Sequence, residues 1–245
     1  MTLFPHRIER IEEHLPSVAD VSVPHGAFAD YVVDSQGREW IRKKAINTGF
    51  QPLLAETFGL LFGNAMNVRI PTGAVQIHDG ESAWLSRRIE AVTHWDANKI
   101  PFIDNLHELG PMLALDALLA NHDRHRGNIL LQSVGADRSA LEVWVIDMGN
   151  AVVGWPSDFL NIGLDIPDPR NLAPGVPVIN LERAAMEAAQ SARDIDTTHI
   201  AEYCREACEL VNEGSVDRYI DVLQRRCEHA EELVERYLQT ILDAR

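Results

Sequence analysis

The feature that most constrains this chain is a change of periodicity. Residues 21–90 alternate like strands around one helix, whereas the remainder of the chain is patterned mainly as helix. Tyr31, Val32 and Val33 and then Trp40 and Ile41 flank the polar turn Asp34-Ser35-Gln36-Gly37, which predicts a β-hairpin. Pro52 then opens a helix, with Leu53, Leu54, Thr57, Leu60 and Leu61 at helical spacing through Phe62. Strand candidates at 73–77 and 82–87 are separated by His78-Asp79-Gly80. Pro111 suits a first helical position, and Met112, Leu115, Leu118 and Leu119 continue an apolar stripe to Asn121. Short β-type runs at 129–132 and 143–146 bracket a loop at 133–140. Residues 155–177, rich in Pro, Gly and Asp, read as an ordered irregular loop. Two or three amphipathic helices are expected over 181–244. Ile8, Ile11 and Leu15 predict a small helix within residues 1–20. The pattern implies an α+β, bilobal chain. Its parts are a helical extension at 1–20, a small β-rich lobe at 21–88 and a helical lobe at 89–245, with a cleft between the lobes.

Composition excludes several classes. Over 245 residues, 46% are hydrophobic and 24% charged, an ordinary globular balance. The 37 acids against 22 bases leave a formal charge of −15, which opposes phosphate-backbone binding and hence a nucleic-acid partner. The three cysteines, Cys204, Cys208 and Cys227, all fall in the last quarter and read as reduced thiols. Residues 1–15 mix Arg, Glu and His with few apolar side chains, unlike a secretory leader. The longest nearly apolar stretch, 109–120, contains Asp116 and is too short to span a bilayer. The expectation is an acidic cytoplasmic protein without a membrane span.

The chemistry concentrates in Asp116-Ala-Leu-Leu-Ala-Asn121-His122-Asp123-Arg124-His125-Arg126-Gly127-Asn128, followed 19 residues after Asn128 by Asp147 within Ile146-Asp147-Met148-Gly149-Asn150. A carboxylate, a carboxamide five residues on, and a second carboxylate after a strand supply hard oxygens of the kind Mg²⁺ takes alongside phosphate oxygens. Asn128 and Asp147 are the candidate metal ligands. Asp123 remains to orient a hydroxyl and accept its proton. Gly149 is expected to allow a sharp backbone turn after Asp147.

Asp-(x4)-Asn-x-Asp-Arg-His-x-x-Asn followed by Ile-Asp-x-Gly resembles the catalytic and metal-binding loops of the HipA-like kinases. The Asp-Arg-His-x-x-Asn portion is also similar to that of phosphatidylinositol 3-/4-kinases. The resemblance covers the organisation of residues 21–160 and is specific at 116–128 and 146–149. It implies a protein-kinase-like fold and a serine/threonine kinase using ATP and Mg²⁺, with a protein substrate. It further implies a phosphate-pairing lysine on a strand and a glutamate on the next helix. Lys43 and Lys44 end the strand containing Trp40 and Ile41, and Glu56 lies early in the following helix. Alternation puts the two lysines on opposite faces; the resemblance favours Lys43, with Lys44 as the alternative. By the same analogy Leu85 and Ser86 sit where a hinge backbone meets adenine. Gly26, in Pro24-His25-Gly26-Ala27-Phe28, stands in for the Gly-rich loop that the chain lacks. His125 is placed with Asp123 among the catalytic residues, holding the catalytic loop as in the resembling families, with direct proton transfer as the alternative.

Plainer readings compete. Asp and Asn favour turns, but three of them at this spacing, with a Lys–Glu pair upstream, favour chemistry. Asp116 and Asn121 read as loop braces, and Arg124 reads equally as a brace or a phosphate contact. Cys204 and Cys208 lack the partner pair a zinc site needs. A His-Asp metal phosphohydrolase using His122-Asp123 with His94 and His107 calls for an all-helical domain, against the hairpins at 21–90. A lipid or small-molecule kinase of the same fold, and a nucleotide-binding pseudokinase acting as an interaction module, stay as alternatives. A length of 245 residues leaves no room for the extra N-terminal subdomain of full-length HipA toxins, so a toxin role is not expected to transfer.

Overall fold

Strand alternation builds the first sheet. In the computed structural model, which describes residues 8–18, 29–44, 51–135 and 139–244, β2 (Ala29–Val33) and β3 (Glu39–Lys44) form the antiparallel hairpin, pairing Tyr31 with Ile41 and Val32 with Trp40. The Asp34 carboxylate organises the turn, accepting from the backbone N–H of Gln36 and Arg38 and from the Trp40 indole at 3.0 Å. After the helix α1 (Pro52–Ala65) come β4 (Gly73–His78) and β5 (Glu81–Arg87), and the sheet order is β1-β4-β5-β3-β2.

The outermost strand, β1 (Glu9–Ile11), corrects the helix expected in residues 1–20 over the part the structure describes, residues 8–18: Glu9–Ile11 is extended and pairs parallel to β4. Ile8 and Ile11, three apart, face opposite sides of a strand. Ile8 joins the main core, while Ile11 and Leu15 pack with Val32, Trp40, Ala74 and Leu85 on the other face of the sheet. The spacing that mimics a helix serves two faces at once.

Helix α1 is buried at every position from Leu53 to Gly63, because it lies between the sheet and the terminal helices. Phe58 stacks on Tyr219 at 5.3 Å between centroids, and Phe62 meets Tyr203 edge-on at 5.4 Å. Next comes β6 (Val92–His94), which sequence patterning does not reveal, and then α2 (Leu109–Leu119). Helix α2 begins two residues before Pro111, which therefore lies in the first turn, where its missing N–H costs nothing. It is apolar apart from Asp116, is buried on nearly every side and forms the centre of the core. Strands β7 (Ile129–Val134) and β8 (Ala140–Val145) complete a three-stranded sheet of order β6-β7-β8.

Residues 155–177 are irregular apart from α3 (Pro156–Phe159) and a 3-10 turn at Pro169–Asn171. Four helices then follow where two or three were expected: α4 (Val178–Arg193), α5 (Thr197–Val211), α6 (Val216–Glu228) and α7 (Ala230–Asp243). The break between α6 and α7 at His229 carries neither Gly nor Pro, so it leaves no signal in the sequence. Helix α4 crosses α2 closely at Gly110, where a Cβ would come within 2.7 Å of the Ala185 backbone nitrogen. One apolar cluster runs from α1 through α2 to α7. Among the described residues no helix is long and apolar enough to cross a membrane. The architecture is a bilobal, kinase-like fold with a β-rich N-terminal region and a helical C-terminal region.

Candidate active site

On β3, Ile41 and Lys43 line a cleft, while Trp40 packs into the small cluster on the opposite face and Arg42 is buried against Asp30, the Leu15 carbonyl and Gln76. The Lys43 ammonium lies 2.6 Å from Glu56 Oε1, on α1, and 2.8 Å from Asp147 Oδ1. The second oxygen of Glu56 accepts from the Met148 backbone N–H at 3.2 Å, tying α1 directly to the residue after Asp147. Two carboxylates thus share one ammonium at the wall of the cleft, with Glu56 buried and Lys43 and Asp147 partly exposed. Burial and the neighbouring Asp147 push the Glu56 carboxyl up despite Lys43. For Asp147, burial is outweighed by Lys43, with a further contribution from the Gly149 N–H, and the carboxyl is held below its ordinary range. Lys43 is raised, because Glu56 and Asp147 outweigh the cost of burying its charge.

The left-handed turn falls two places before Gly149, its expected cause. Asp147 itself adopts a left-handed backbone, φ 62°, a conformation Asp tolerates better than most side chains. Gly149 serves space instead: its N–H donates to Asp147 Oδ1 at 3.1 Å, and a Cβ there would lie 3.0 Å from that oxygen and 3.4 Å from Glu56 Oε1.

The loop after α2 is held from below. Arg124 is 1% exposed. Its guanidinium donates to Asp116 at 2.8 and 3.0 Å and to the carbonyls of Asn128 and Ile146, so it acts as a brace and has no face left for phosphate. Asn121 donates to Asp116 Oδ1 at 2.8 Å and accepts from the Asp123 N–H at 3.1 Å. Asn128 donates its amide to the Asp123 carbonyl at 2.8 Å, leaving Oδ1 as its side-chain acceptor. Asp123 is one-fifth exposed, and its Oδ2 accepts from Asn150 Nδ2 at 2.7 Å. His125 Nδ1 accepts from the Gly127 N–H at 3.0 Å, capping the 3-10 turn Arg126–Asn128, and its Nε2 stands 4.0 Å from Asp123 Oδ2, beyond hydrogen-bond reach.

Lys43, Glu56, Ser86, Asn128 and Asp147 all line one cavity of about 400 Å³, large enough for a nucleotide-sized ligand. Leu85 does not. It is fully buried in the small cluster on the other face, and its strand is paired on both sides, with Arg42 and with Ala74. Of the pair expected at the hinge only Ser86 lines the cavity, joined beyond the strand by Ile89, which lies outside both ladders. Gly26 lies outside the described residues. The apolar lining, which includes Ile41, Ile89, Val92, Leu130 and Ile146, was not recognised in the sequence; only proximity to the polar motifs could have marked it.

Among the described residues no group of three or more His, Cys, Asp and Glu could by itself hold a metal ion. The donors in the cleft are instead one carboxamide oxygen and one ionised carboxylate, the kind of partial set that Mg²⁺ completes with phosphate oxygens and water. The residues present therefore fit a Mg²⁺–nucleotide complex.

No family model matches the chain, and no curated protein matches it. Solved structures do. The Helicobacter pylori proinflammatory kinase CtkA is 10% identical, with a TM-score of 0.60 over 98% of this chain and 99% of that one. HipA of the Shewanella oneidensis toxin–antitoxin system, solved with HipB and operator DNA, is 11% identical, with a TM-score of 0.52 over 91% of this chain and 67% of that one. A Golgi casein kinase with Mn and ADP bound is 11% identical, with a TM-score of 0.51 over 97% of this chain and 75% of that one. At these identities the likeness is one of fold, and by fold this chain is a protein-kinase-like protein.

Proposed function

We propose that the chain is an ATP- and Mg²⁺-dependent phosphotransferase whose acceptor is a protein Ser or Thr hydroxyl. The small lobe, 21–88, holds the nucleotide, and loops of the helical lobe, 89–245, act on it. The observation that carries this reading is the Lys43 ammonium held between Glu56 and Asp147 at 2.6 and 2.8 Å in a cleft that also contains Asn128. Such a pair pre-positions a cation for the α- and β-phosphates. Asn128 and Asp147 would hold Mg²⁺, which when bound supplies positive charge to the phosphate oxygens. Asp123 orients the acceptor hydroxyl through its carboxylate and receives the hydroxyl proton as the oxygen attacks the γ-phosphorus, while the bond from that phosphorus to the β,γ-bridging oxygen breaks and ADP leaves. Asn150 fixes one of the two Asp123 oxygens. His125 acts through the backbone of the loop.

A protein acceptor draws support from the similar structures, which include a kinase named for casein, and from the acidic charge of the chain, −15, which disfavours an anionic lipid surface. The test is transfer of label from [γ-³²P]ATP with Mg²⁺, comparing wild type with Asp123→Ala and Asp147→Asn. Label on protein that disappears in both variants supports the reading. Mg²⁺-dependent nucleotide binding without turnover on any protein acceptor favours a pseudokinase or another acceptor. Absence of nucleotide binding removes the assignment.

A further inference from the structure

Beside the nucleotide cleft lies a second, open groove of about 550 Å³, lined by His94, Trp95, Asp96, Lys99, Arg126 and Pro174. It adjoins the cleft, since His94 lines both. It is also tied to the catalytic loop, because the Trp95 N–H donates to the Ile129 carbonyl at 2.9 Å and Arg126 is three residues past Asp123. The Trp95 indole donates to the Pro174 carbonyl at 2.9 Å, which fixes the far wall.

The charged side chains lining this groove are two cations, Lys99 and Arg126, and one carboxylate, Asp96, in a chain of net charge −15. Near the cleft Arg88 is matched to Glu39, Arg124 to Asp116 and Arg69 to Glu142, whereas Arg87, which lines the cleft, makes no ion pair among the described residues. Arg126 is exposed and makes no ion pair among the described residues. The Lys99 ammonium meets only a hydroxyl there, Thr93 Oγ1 at 2.8 Å. The groove's own carboxylate, Asp96, is turned to local use, accepting from the backbone and side chain of Asn98 at 3.0 Å. Two cations without carboxylates, in a chain carrying 37 acids, leave room for carboxylates from elsewhere. The volume exceeds a single anion and suits a stretch of chain.

We propose that this groove seats acidic side chains of the acceptor protein, so that Arg126 and Lys99 select a hydroxyl flanked by Asp or Glu. The proposal rests on the phosphotransferase reading and names the acceptor class for it.

The test uses the full chain and two fluorescent peptides centred on Ser, one flanked by Asp and Glu and the other by Asn and Gln. Polarisation measures peptide binding, and a fluorescent ADP with Mg²⁺ measures the nucleotide site. The acidic peptide is expected to bind on the order of tenfold tighter at low salt. Arg126→Glu with Lys99→Glu should abolish that preference, leave ADP affinity unchanged and favour a peptide with Lys in place of the acids. Equal binding of the two peptides, or a preference that survives the double variant, overturns the proposal. If the acidic preference depends on Arg126 and Lys99 but no nucleotide binds, the groove stands as an acidic-peptide site and the kinase reading fails. If nucleotide binds and the peptides are not distinguished, only the groove is lost.

Discussion

Asn150 donates its side-chain amide to Asp123 Oδ2 at 2.7 Å, so a residue from the Asp147 loop holds one oxygen of the proposed base on the other loop. The contact leaves Oδ1 for the acceptor hydroxyl. Asn150→Ala should lower kcat by about tenfold with KM for ATP little changed, since positioning of the base is lost and nucleotide contacts are not. Asn150→Asp should cost more, because it sets a second carboxylate against the first. Steady-state kinetics on any labelled acceptor separates the two parameters, and an equal rise in KM would overturn the assignment.

Lys43 is the shared counter-ion of two carboxylates, the buried Glu56 and the partly exposed Asp147. Lys43→Met is expected to reduce kcat by about 10²–10³, the scale seen when one charge-stabilising donor is removed. The same triad makes stability depend on pH. Asp147 is held below its ordinary range, so its contribution is present above that range and is lost as pH falls through the lowered value. Lys43 is raised, so its contribution is present below the ordinary lysine range and is lost as pH rises through the raised value. Urea melts across pH should show a shallower acid limb for Asp147→Asn than for wild type.

The Arg124–Asp116 pair is almost fully buried, at 1% and 0% exposure. Removing one partner strands a charge in the core and should destabilise the fold by about 3–5 kcal/mol. Arg124→Met is expected to lower the Tm accordingly, while Arg124→Met with Asp116→Leu should recover part of the loss. A single variant as stable as wild type would contradict the brace.

Gly59 on α1 faces the residue after Asp147: a Cβ there would lie 2.4 Å from Met148 Cγ. Gly59→Ala must displace Met148, whose backbone N–H binds Glu56. Nucleotide affinity should fall with little change in secondary structure by circular dichroism. Unaltered affinity would show that Met148 yields without disturbing the Lys43 triad.

Burial raises all three thiols, Cys208 and Cys227 to about 12 and Cys204 further. Native protein should therefore resist thiol reagents at neutral pH and react fully only in denaturant. Raised thiol values stabilise the fold below the unfolded thiol pKa, about 8.5, and that contribution is lost as pH rises above it. Replacement of the cysteines by Ala should flatten the decline of Tm on the alkaline side.

Local pattern was sufficient wherever the signal is local. The hairpin around Asp34, the helix opened by Pro52, the strands on either side of Gly80 and the polar loops at 116–128 and 146–149 are all legible, because turn chemistry and side-chain period act between near neighbours. The helix expected at residues 1–20 failed because three residues can pair with a sheet edge more than 60 positions away. The break at His229 was missed because packing, not Gly or Pro, ends α6 there.

What the sequence by itself determined is therefore which segments are strand or helix and which residues can donate oxygen or positive charge. What only tertiary structure decided is how they meet. Folding set the Lys43 ammonium between Glu56 and Asp147, turned Arg124 inward to Asp116 and put Leu85 on the far face of the sheet. It also placed Arg126 and Lys99 in one groove. Each outcome depends on contacts between distant segments, whose energies come from burial and from charges sharing a low-dielectric space. Neither is written in the spacing of neighbouring residues.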